Sequence, residues 1–232
     1  PENEEIMGEF VECLEGIKQT CEFLEYPVVS GNVSFYNGTN RKNINPTPVI
    51  GGVGLIKKIS KPINHNFKQE NSHLVLIGKT FGHIEQSCFL KENYSIIEGM
   101  PPEINLHNEK NNGETLLKLI QENLVLSSHD VSSGGLITAI SEMTFSSEIG
   151  AKILKPKKLA NFINYLFGED QARYVAEIAS NNLSKAEKIL KNSNIYYEII
   201  GFTQKNNLEV EDEFKINVKD LFKINNQWYN NY

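Results

Sequence analysis

The sequence is poor in arginine and has no long apolar run. Only two of its 23 basic residues are arginines, Arg41 and Arg173, and the net charge is −6 at pH 7. Because binding to nucleic acid by counterion release needs a basic face, we expect no nucleic-acid partner. No apolar run approaches the roughly 18 residues that a membrane helix needs, so we expect no membrane partner either.

Cysteine is also scarce. Cys13, Cys21 and Cys88 are odd in number and show no C-x-x-C spacing. This usage is typical of free, buried thiols in a reducing compartment, and it predicts a cytoplasmic protein. The sequence begins at Pro1, without an initiator Met or a signal sequence. We therefore expect it to start within a domain of a longer protein.

Several common catalytic and nucleotide-binding motifs are missing. The sequence has no G-x-x-x-x-G-K-[ST] loop and no G-x-G-x-x-G turn, so a nucleotide would have to be bound by a different kind of site. Its five histidines show no H-E-x-x-H spacing, and no serine lies in a G-x-S-x-G elbow. A zinc site and a serine-hydrolase site therefore find little support. What remains is 232 residues, 40% of them hydrophobic, which is enough for one large or two small domains.

The first hundred residues mix helical and strand patterns. Apolar residues at three- and four-residue spacing predict an amphipathic helix over 4–24, with Asn3 as its N-cap. β-rich runs broken by glycines follow, and they predict strands over 26–30, 33–36, 48–56 and 72–79.

The pattern changes after the proline pair at 101–102. Helices are predicted over 108–122, 136–145 and 183–190, and strands over 124–127, 173–179 and 195–200, of which the last helix and last two strands form a βαβ unit. The proline pair predicts a boundary between a domain at 1–100 and a domain at 101–232. The tail at 217–232 is expected either to close a sheet edge or to fray.

Three polar turns are candidate ligand sites, and each has a purely structural interpretation. Ser30-Gly31-Asn32-Val33-Ser34 offers a bare backbone, an amide oxygen and two hydroxyls, which suit phosphate and Mg²⁺, but Gly-Asn is also good hairpin chemistry. His129-Asp130 precedes Gly134-Gly135 and a helix, so it fits a ligand site or a helix cap made by Asp130 or Ser132. The run at 167–174 holds Glu169, Asp170 and Arg173 and fits either a ligand site or a solvated turn with a local salt bridge.

Four segments taken together are more specific than any one of them. They are Pro27-Val28-Val29-Ser30-Gly31-Asn32-Val33-Ser34-Phe35-Tyr36-Asn37, Pro46-Thr47-Pro48-Val49-Ile50-Gly51, Ser128-His129-Asp130-Val131-Ser132-Ser133-Gly134-Gly135-Leu136 and Phe167-Gly168-Glu169-Asp170-Gln171-Ala172-Arg173-Tyr174. In order and spacing they resemble the C-terminal half of the phosphoribosylformylglycinamidine synthase family, the large synthetase subunit of purine biosynthesis.

The resemblance implies a fold and a set of roles. The fold is α/β (α+β) and aminoimidazole-ribonucleotide-synthetase-like: a partial α/β domain that contributes to a barrel, followed by a second α/β domain with a ferredoxin-like βαβ core. By motif position, Gly31 is implied as an ATP contact, Asn32 as a Mg²⁺ ligand and Ser34 as a contact to formylglycinamide ribonucleotide. The family's catalytic histidines belong to the other half, so no catalytic residue is expected here and the chain alone is expected to be inactive.

The implied activity is an ATP-dependent ligase that forms an amidine through an iminophosphate. The implied partners are the N-terminal half of the same enzyme, a glutaminase subunit and a small bridging subunit. A non-catalytic scaffold half, which only completes the barrel, is the alternative. The sequence departs from the family at Ile84-Glu85-Gln86-Ser87-Cys88-Phe89, where the family has Leu-Gly-Gly-Ser-Glu before an aromatic residue.

Overall fold

The computed structural model describes residues 2–40, 42–44, 47–56, 62–156 and 161–230. The chain divides into two compact units, Pro1–Ser60 and Lys61–Tyr232. The predicted boundary at 100/101 therefore lies inside the second unit. The reason is that the strand at 73–77 pairs with strands that come about a hundred residues later, and pairing of this kind leaves no local signal in the sequence.

The first unit begins with helix α1, Glu4–Phe23. Asn3 caps it as predicted, because its side chain accepts a hydrogen bond from Ile6 N at 3.1 Å. Two-residue strands β1 (Gly38–Thr39) and β2 (Lys42–Asn43) pair antiparallel. The strands predicted over 26–30, 33–36 and 48–56 are not formed, since the described residues there are paired with no other strand.

The second unit contains most of the regular structure. Its elements are β3 (His73–Ile77), α2 (Cys88–Tyr94), α3 (Leu106–Gln121), β4 (Val125–Asp130), α4 (Gly135–Phe145), β5 (Ile149–Ile153), α5 (Phe162–Phe167), β6 (Tyr174–Ile178), a 3₁₀ turn (Ser180–Asn182), α6 (Leu183–Asn192), β7 (Tyr197–Lys205), β8 (Asn207–Val210), β9 (Phe214–Asn217) and α7 (Val218–Asn230). The tail at 217–232, predicted to close an edge or fray, begins at the last residue of β9 and continues as helix α7 through the described residues, with Leu221 packed on the core.

Seven strands form one mixed sheet in the order β4-β6-β3-β7-β5-β8-β9. β3 lies antiparallel between β6 and β7, so these two strands run parallel to each other and α6 crosses over β3. This split βαβ arrangement, with α3 joining β3 to β4, is the predicted ferredoxin-like core. All pairs in the sheet are antiparallel except β5 with β8.

Both faces of the sheet are covered. Along β3, Leu74 and Leu76 join the core under α4 and α5, whereas Val75 and Ile77 join the core under α3 and α6. All four side chains are fully buried, as expected for a central strand between two layers. The predicted helix at 136–145 supplies Leu136, Ile140 and other side chains to the first of these cores.

The three cysteines are free, as expected, but half-buried rather than buried. Within the described ranges, no helix has the length and apolar character to cross a membrane.

Candidate functional site

The loop with the implied site residues follows α1 as exposed chain without regular secondary structure. Gly31, Asn32 and Ser34 are all exposed. A Cβ built on Gly31 would meet no atom within 4 Å, so the backbone around this residue is open to a ligand. The side chain of Asn37 donates to the carbonyl of Ser34 at 2.9 Å and closes the end of the loop.

Aromatic side chains tie this segment to the rest of the first unit. The ring of Phe35 lies 5.6 Å from that of Phe10 on α1. The hydroxyl of Tyr36 donates to Glu2 Oε1 at 2.6 Å, and this hydrogen bond raises the pKa of Tyr36. The hydroxyl of Tyr26 accepts from Val53 N at 2.9 Å, which joins the two β-rich runs. The loop is therefore held at both ends while its middle stays open.

The residues present in the loop fit a weakly held divalent ion. Among the residues that the structure describes, no group of three or more His, Cys, Asp or Glu side chains could hold a metal ion. The amide oxygen of Asn32 is a hard ligand on an exposed side chain, and Mg²⁺ takes few protein ligands and keeps phosphate oxygens and water for the rest. Asn32 therefore fits the implied role only as one ligand beside those of a bound nucleotide.

The capping role predicted for Asp130 or Ser132 is wrong. The N-cap of α4 is Gly134, with a φ of 80° and no side-chain cap. The Asp130 side chain is exposed and lies beside His129, whose Nδ1 is 3.4 Å from Asp130 Oδ1 and whose Nε2 is 3.1 Å from Glu142 Oε2.

A carboxylate from elsewhere in the chain replaces the missing cap. Glu169 Oε1 accepts from Gly134 N at the start of α4 and from Cys88 N at the start of α2, each at 2.8 Å. Burial, together with the Glu169 charge, raises the pKa of the Cys88 thiol. A negative charge at two helix starts is electrostatically favourable, so Glu169 holds both helices in place.

The turn at 167–174 is not solvated, contrary to one of its two predicted interpretations. Asp170 is 4% exposed and Arg173 is 1% exposed. The carboxylate of Asp170 accepts from three consecutive backbone N–H groups, those of Phe81, Gly82 and His83, at 2.9–3.1 Å. Arg173 donates to the carbonyl of Gly168 at 2.6 Å, and burial lowers its pKa. We call these residues the polar clamp: Glu169, Asp170 and Arg173.

The segment that departs from the family, 84–89, starts helix α2. Gln86 adopts a φ of 57°, a conformation that glycine would adopt more readily. Ser87 is the N-cap of α2, and its hydroxyl accepts from Leu90 N at 3.3 Å. The Glu85 side chain accepts from Met100 N at 2.8 Å. At Gln86 the segment thus keeps a conformation that a glycine would favour.

The second unit also holds a cleft that sequence reasoning missed. It has a volume of about 340 Å³ and lies between the end of β3, the start of α5 and the start of β7. Its lining includes Lys79, Thr80, Phe81, Tyr165, Tyr196 and Glu198. These residues come from three separate segments, so no local sequence motif could have predicted the cleft.

The split βαβ core and the preceding glycine loop define an α/β protein of the aminoimidazole-ribonucleotide-synthetase-like class. The family model described as AIR synthase related protein, C-terminal domain, matches residues 69–213, and the model of the N-terminal domain matches residues 1–56. The chain belongs to this family. The two matched ranges fall on either side of the division at 60/61.

Curated relatives extend the match over the full chain. The phosphoribosylformylglycinamidine synthase subunit PurL of Pelagibacter ubique is 48% identical over all 232 residues, and that of a Bradyrhizobium strain is 39% identical over the same length. The chain spans 32% of the length of each. The resemblance drawn from the four segments is thereby confirmed.

Solved structures agree on the fold. A Thermotoga maritima PurL complexed with FGAR superposes with a TM-score of 0.58 at 15% identity, covering 69% of this chain and 29% of that chain. The Thermotoga maritima PurLQS structure gives a TM-score of 0.53 at 19% identity, covering 69% and 27%. The expected α/β fold class is confirmed.

Proposed function

We propose that this chain is the part of a phosphoribosylformylglycinamidine synthase that presents the loop at 30–34 to ATP and substrate. The observation that carries the proposal is the 48% identity to a PurL subunit over every residue of the chain. The reaction would convert formylglycinamide ribonucleotide to its amidine in purine biosynthesis. ATP would phosphorylate the amide oxygen, ammonia would attack the carbon of the resulting iminophosphate, and phosphate would leave.

Phosphoryl transfer needs positioning and charge neutralisation more than covalent help from the protein, so these loop residues suffice for the proposed roles. The open backbone at Gly31 lets N–H groups approach the ATP phosphates. The Ser34 hydroxyl would orient the ribonucleotide, and the amide oxygen of Asn32 would serve as one ligand of the metal. When bound, Mg²⁺ supplies positive charge beside the transferred phosphoryl group.

The proposed partners follow from the relatives. The Thermotoga maritima structure is described as PurLQS, which indicates that its PurL assembles with further subunits. We place this chain in a similar assembly, with the N-terminal half of the enzyme, a glutaminase subunit that supplies ammonia and a small bridging subunit. The cytoplasm is the proposed location.

Substitution of Asn32 tests the loop assignment in the complete enzyme. Asn32→Leu keeps the bulk of the side chain but removes the oxygen, so turnover should fall steeply and the Mg²⁺ concentration for half-maximal rate should rise. Asn32→Asp keeps a hard oxygen and should retain part of the rate. Asn43→Leu, at another exposed asparagine of the first unit, is the matched control.

One observation favours the scaffold alternative. Valine and leucine side chains that flank the loop on both sides are about nine-tenths exposed, namely Val29, Val49, Val53 and Leu55. Apolar chain of this kind suits burial in a barrel built with other strands. If Asn32→Leu folds normally and keeps the wild-type rate and Mg²⁺ dependence, the loop is a scaffold and the ligand assignment fails.

A further inference from the structure

We propose that the cleft between the end of β3, the start of α5 and the start of β7 binds a phosphorylated sugar. In this assignment Lys79 contacts the phosphate and Glu198 accepts from sugar hydroxyls. The choice of a sugar phosphate rests on the proposed function, whose substrate is a ribonucleotide. The site itself is drawn from the second unit alone, and none of the loop residues at 30–34 takes part.

One wall of the cleft is a carboxylate fixed between two phenols. Tyr165 is 2% exposed, and its hydroxyl donates to Glu198 Oε2 at 3.3 Å. The hydroxyl of Tyr196 donates to the other oxygen, Oε1. A carboxylate has about four acceptor positions, so Glu198 keeps room for hydroxyl donors from a ligand. Because its orientation is already set, a ligand pays little to order it.

The lining of the cleft also includes a cationic group. Lys79 is exposed, its Nζ lies 4.8 Å from the centre of the Phe81 ring, and none of the ion pairs found among the described residues includes it. An ammonium group without a carboxylate partner is available to an anion. Phosphate is the anion that lysine binds as a point charge.

The wall that carries Lys79 is rigid. Asp170 of the polar clamp holds the N–H groups of Phe81 and Gly82. Thr80 Oγ1 accepts from Arg173 Nη1 at 3.2 Å, so the threonine's own hydrogen is left to donate elsewhere. The polar clamp therefore acts as a positioning group for this side of the cleft.

Neighbouring polar groups add hydrogen-bond donors to the cleft. Asn161 Oδ1 accepts from Ile163 N and Asn164 N, which leaves its amide N–H groups as donors. A volume of about 340 Å³ suits a small ligand and is too small for a peptide or an oligonucleotide. One cation, one carboxylate and several donors together suit a molecule with a phosphate at one end and hydroxyls at the other.

Calorimetry on the full 232-residue chain tests the assignment with ribose 5-phosphate, ribose and inorganic phosphate as probes. Ribose 5-phosphate should bind with a Kd at least about tenfold lower than either of the other two, because only it carries both a phosphate for Lys79 and hydroxyls for Glu198. Lys79→Met should raise that Kd about tenfold or more, the effect expected for one charge-assisted hydrogen bond. Glu198→Gln should raise it as well, while Lys188→Met, at an exposed lysine on α6, should leave it unchanged.

Two results would overturn the proposal: no saturable binding of ribose 5-phosphate, or binding that Lys79→Met leaves unaltered. Equal affinities for ribose 5-phosphate and inorganic phosphate would also overturn it, because Glu198 would then contribute nothing. These outcomes are independent of the loop at 30–34. Binding can fail here while the complete enzyme still loses turnover in Asn32→Leu, and the reverse can also occur.

Discussion

Replacing Asp170 should destabilise the second unit more than any exposed carboxylate would. In Asp170→Ala, the backbone N–H groups of Phe81, Gly82 and His83 lose their acceptor, and the buried guanidinium of Arg173 loses the carboxylate whose Oδ2 lies 3.9 Å away. Removing one partner of a buried charged pair typically costs about 3–5 kcal/mol. Domains of ordinary stability have about 5–15 kcal/mol in total, so the variant should be only marginally folded.

Asp170→Asn gives a graded comparison. Its amide oxygen can still accept from Phe81 and Gly82, but its NH₂ group then faces the N–H of His83. One lost hydrogen bond to a charged group, with a donor left unsatisfied, should cost about 1–3 kcal/mol. The ordering of the two variants is therefore part of the prediction.

Urea unfolding of the full chain, followed by circular dichroism, measures both variants. Asp130→Ala is the matched control, because the Asp130 side chain is 64% exposed and caps no helix, and it should change the unfolding free energy by no more than about 0.5 kcal/mol. If Asp170→Ala lowers stability by less than about 1 kcal/mol with an unchanged slope, the polar clamp does not hold the segment after β3 and the reasoning is refuted.

Two further predictions concern the other clamp contact and the cleft. Glu169→Ala should lower the unfolding free energy by about 1–3 kcal/mol, because two helix-start N–H groups lose their acceptor. Ser132→Ala should change it by no more than about 0.5 kcal/mol. If Ser132→Ala were the more destabilising of the two, the Ser132 side chain would cap α4 after all. The hydrogen bond to Glu198 raises the pKa of Tyr196 to about 12, so the folded state keeps a proton that the unfolded chain loses near pH 10. The stability that this pKa difference contributes is therefore present below pH 10 and is lost as the pH rises toward 12. In Tyr196→Phe, the unfolding free energy should fall less between pH 10 and pH 12 than it does in the wild type.

Periodicity predicted much of the second unit. Residues in α3, α4 and α6 recur at helical spacing because each helix buries a single face, and β6 and β7 were placed within two residues of their observed starts. These elements need only local information. β8 and β9 were missed, although Leu208 and Val210 alternate with polar residues in the pattern of a half-buried strand.

The polar clamp lay beyond sequence reasoning for a physical reason. Asp170 and its three backbone donors are separated by 87 to 89 positions, so the charged turn could equally have been exposed. One signal was available: Arg173 is one of only two arginines in a lysine-rich chain. A planar guanidinium with five donors suits a buried network of carbonyls and carboxylates better than an ammonium does, and this favoured a structural role.

The strand predictions at 26–30, 33–36 and 48–56, which were wrong, bear on the proposed site. β-branched composition favours a strand, but a strand also needs a neighbour whose backbone satisfies its N–H and C=O groups, and in the structure these runs pair with none. The loop with Gly31 and Asn32 lies between two such unpaired, apolar runs. Any strand that pairs with these runs would bury the valines and also fix the position of the loop. The same pairing would therefore serve both the scaffold role and the ligand role. Only a substitution such as Asn32→Leu, which changes the ligand atom and leaves the apolar runs intact, separates the two.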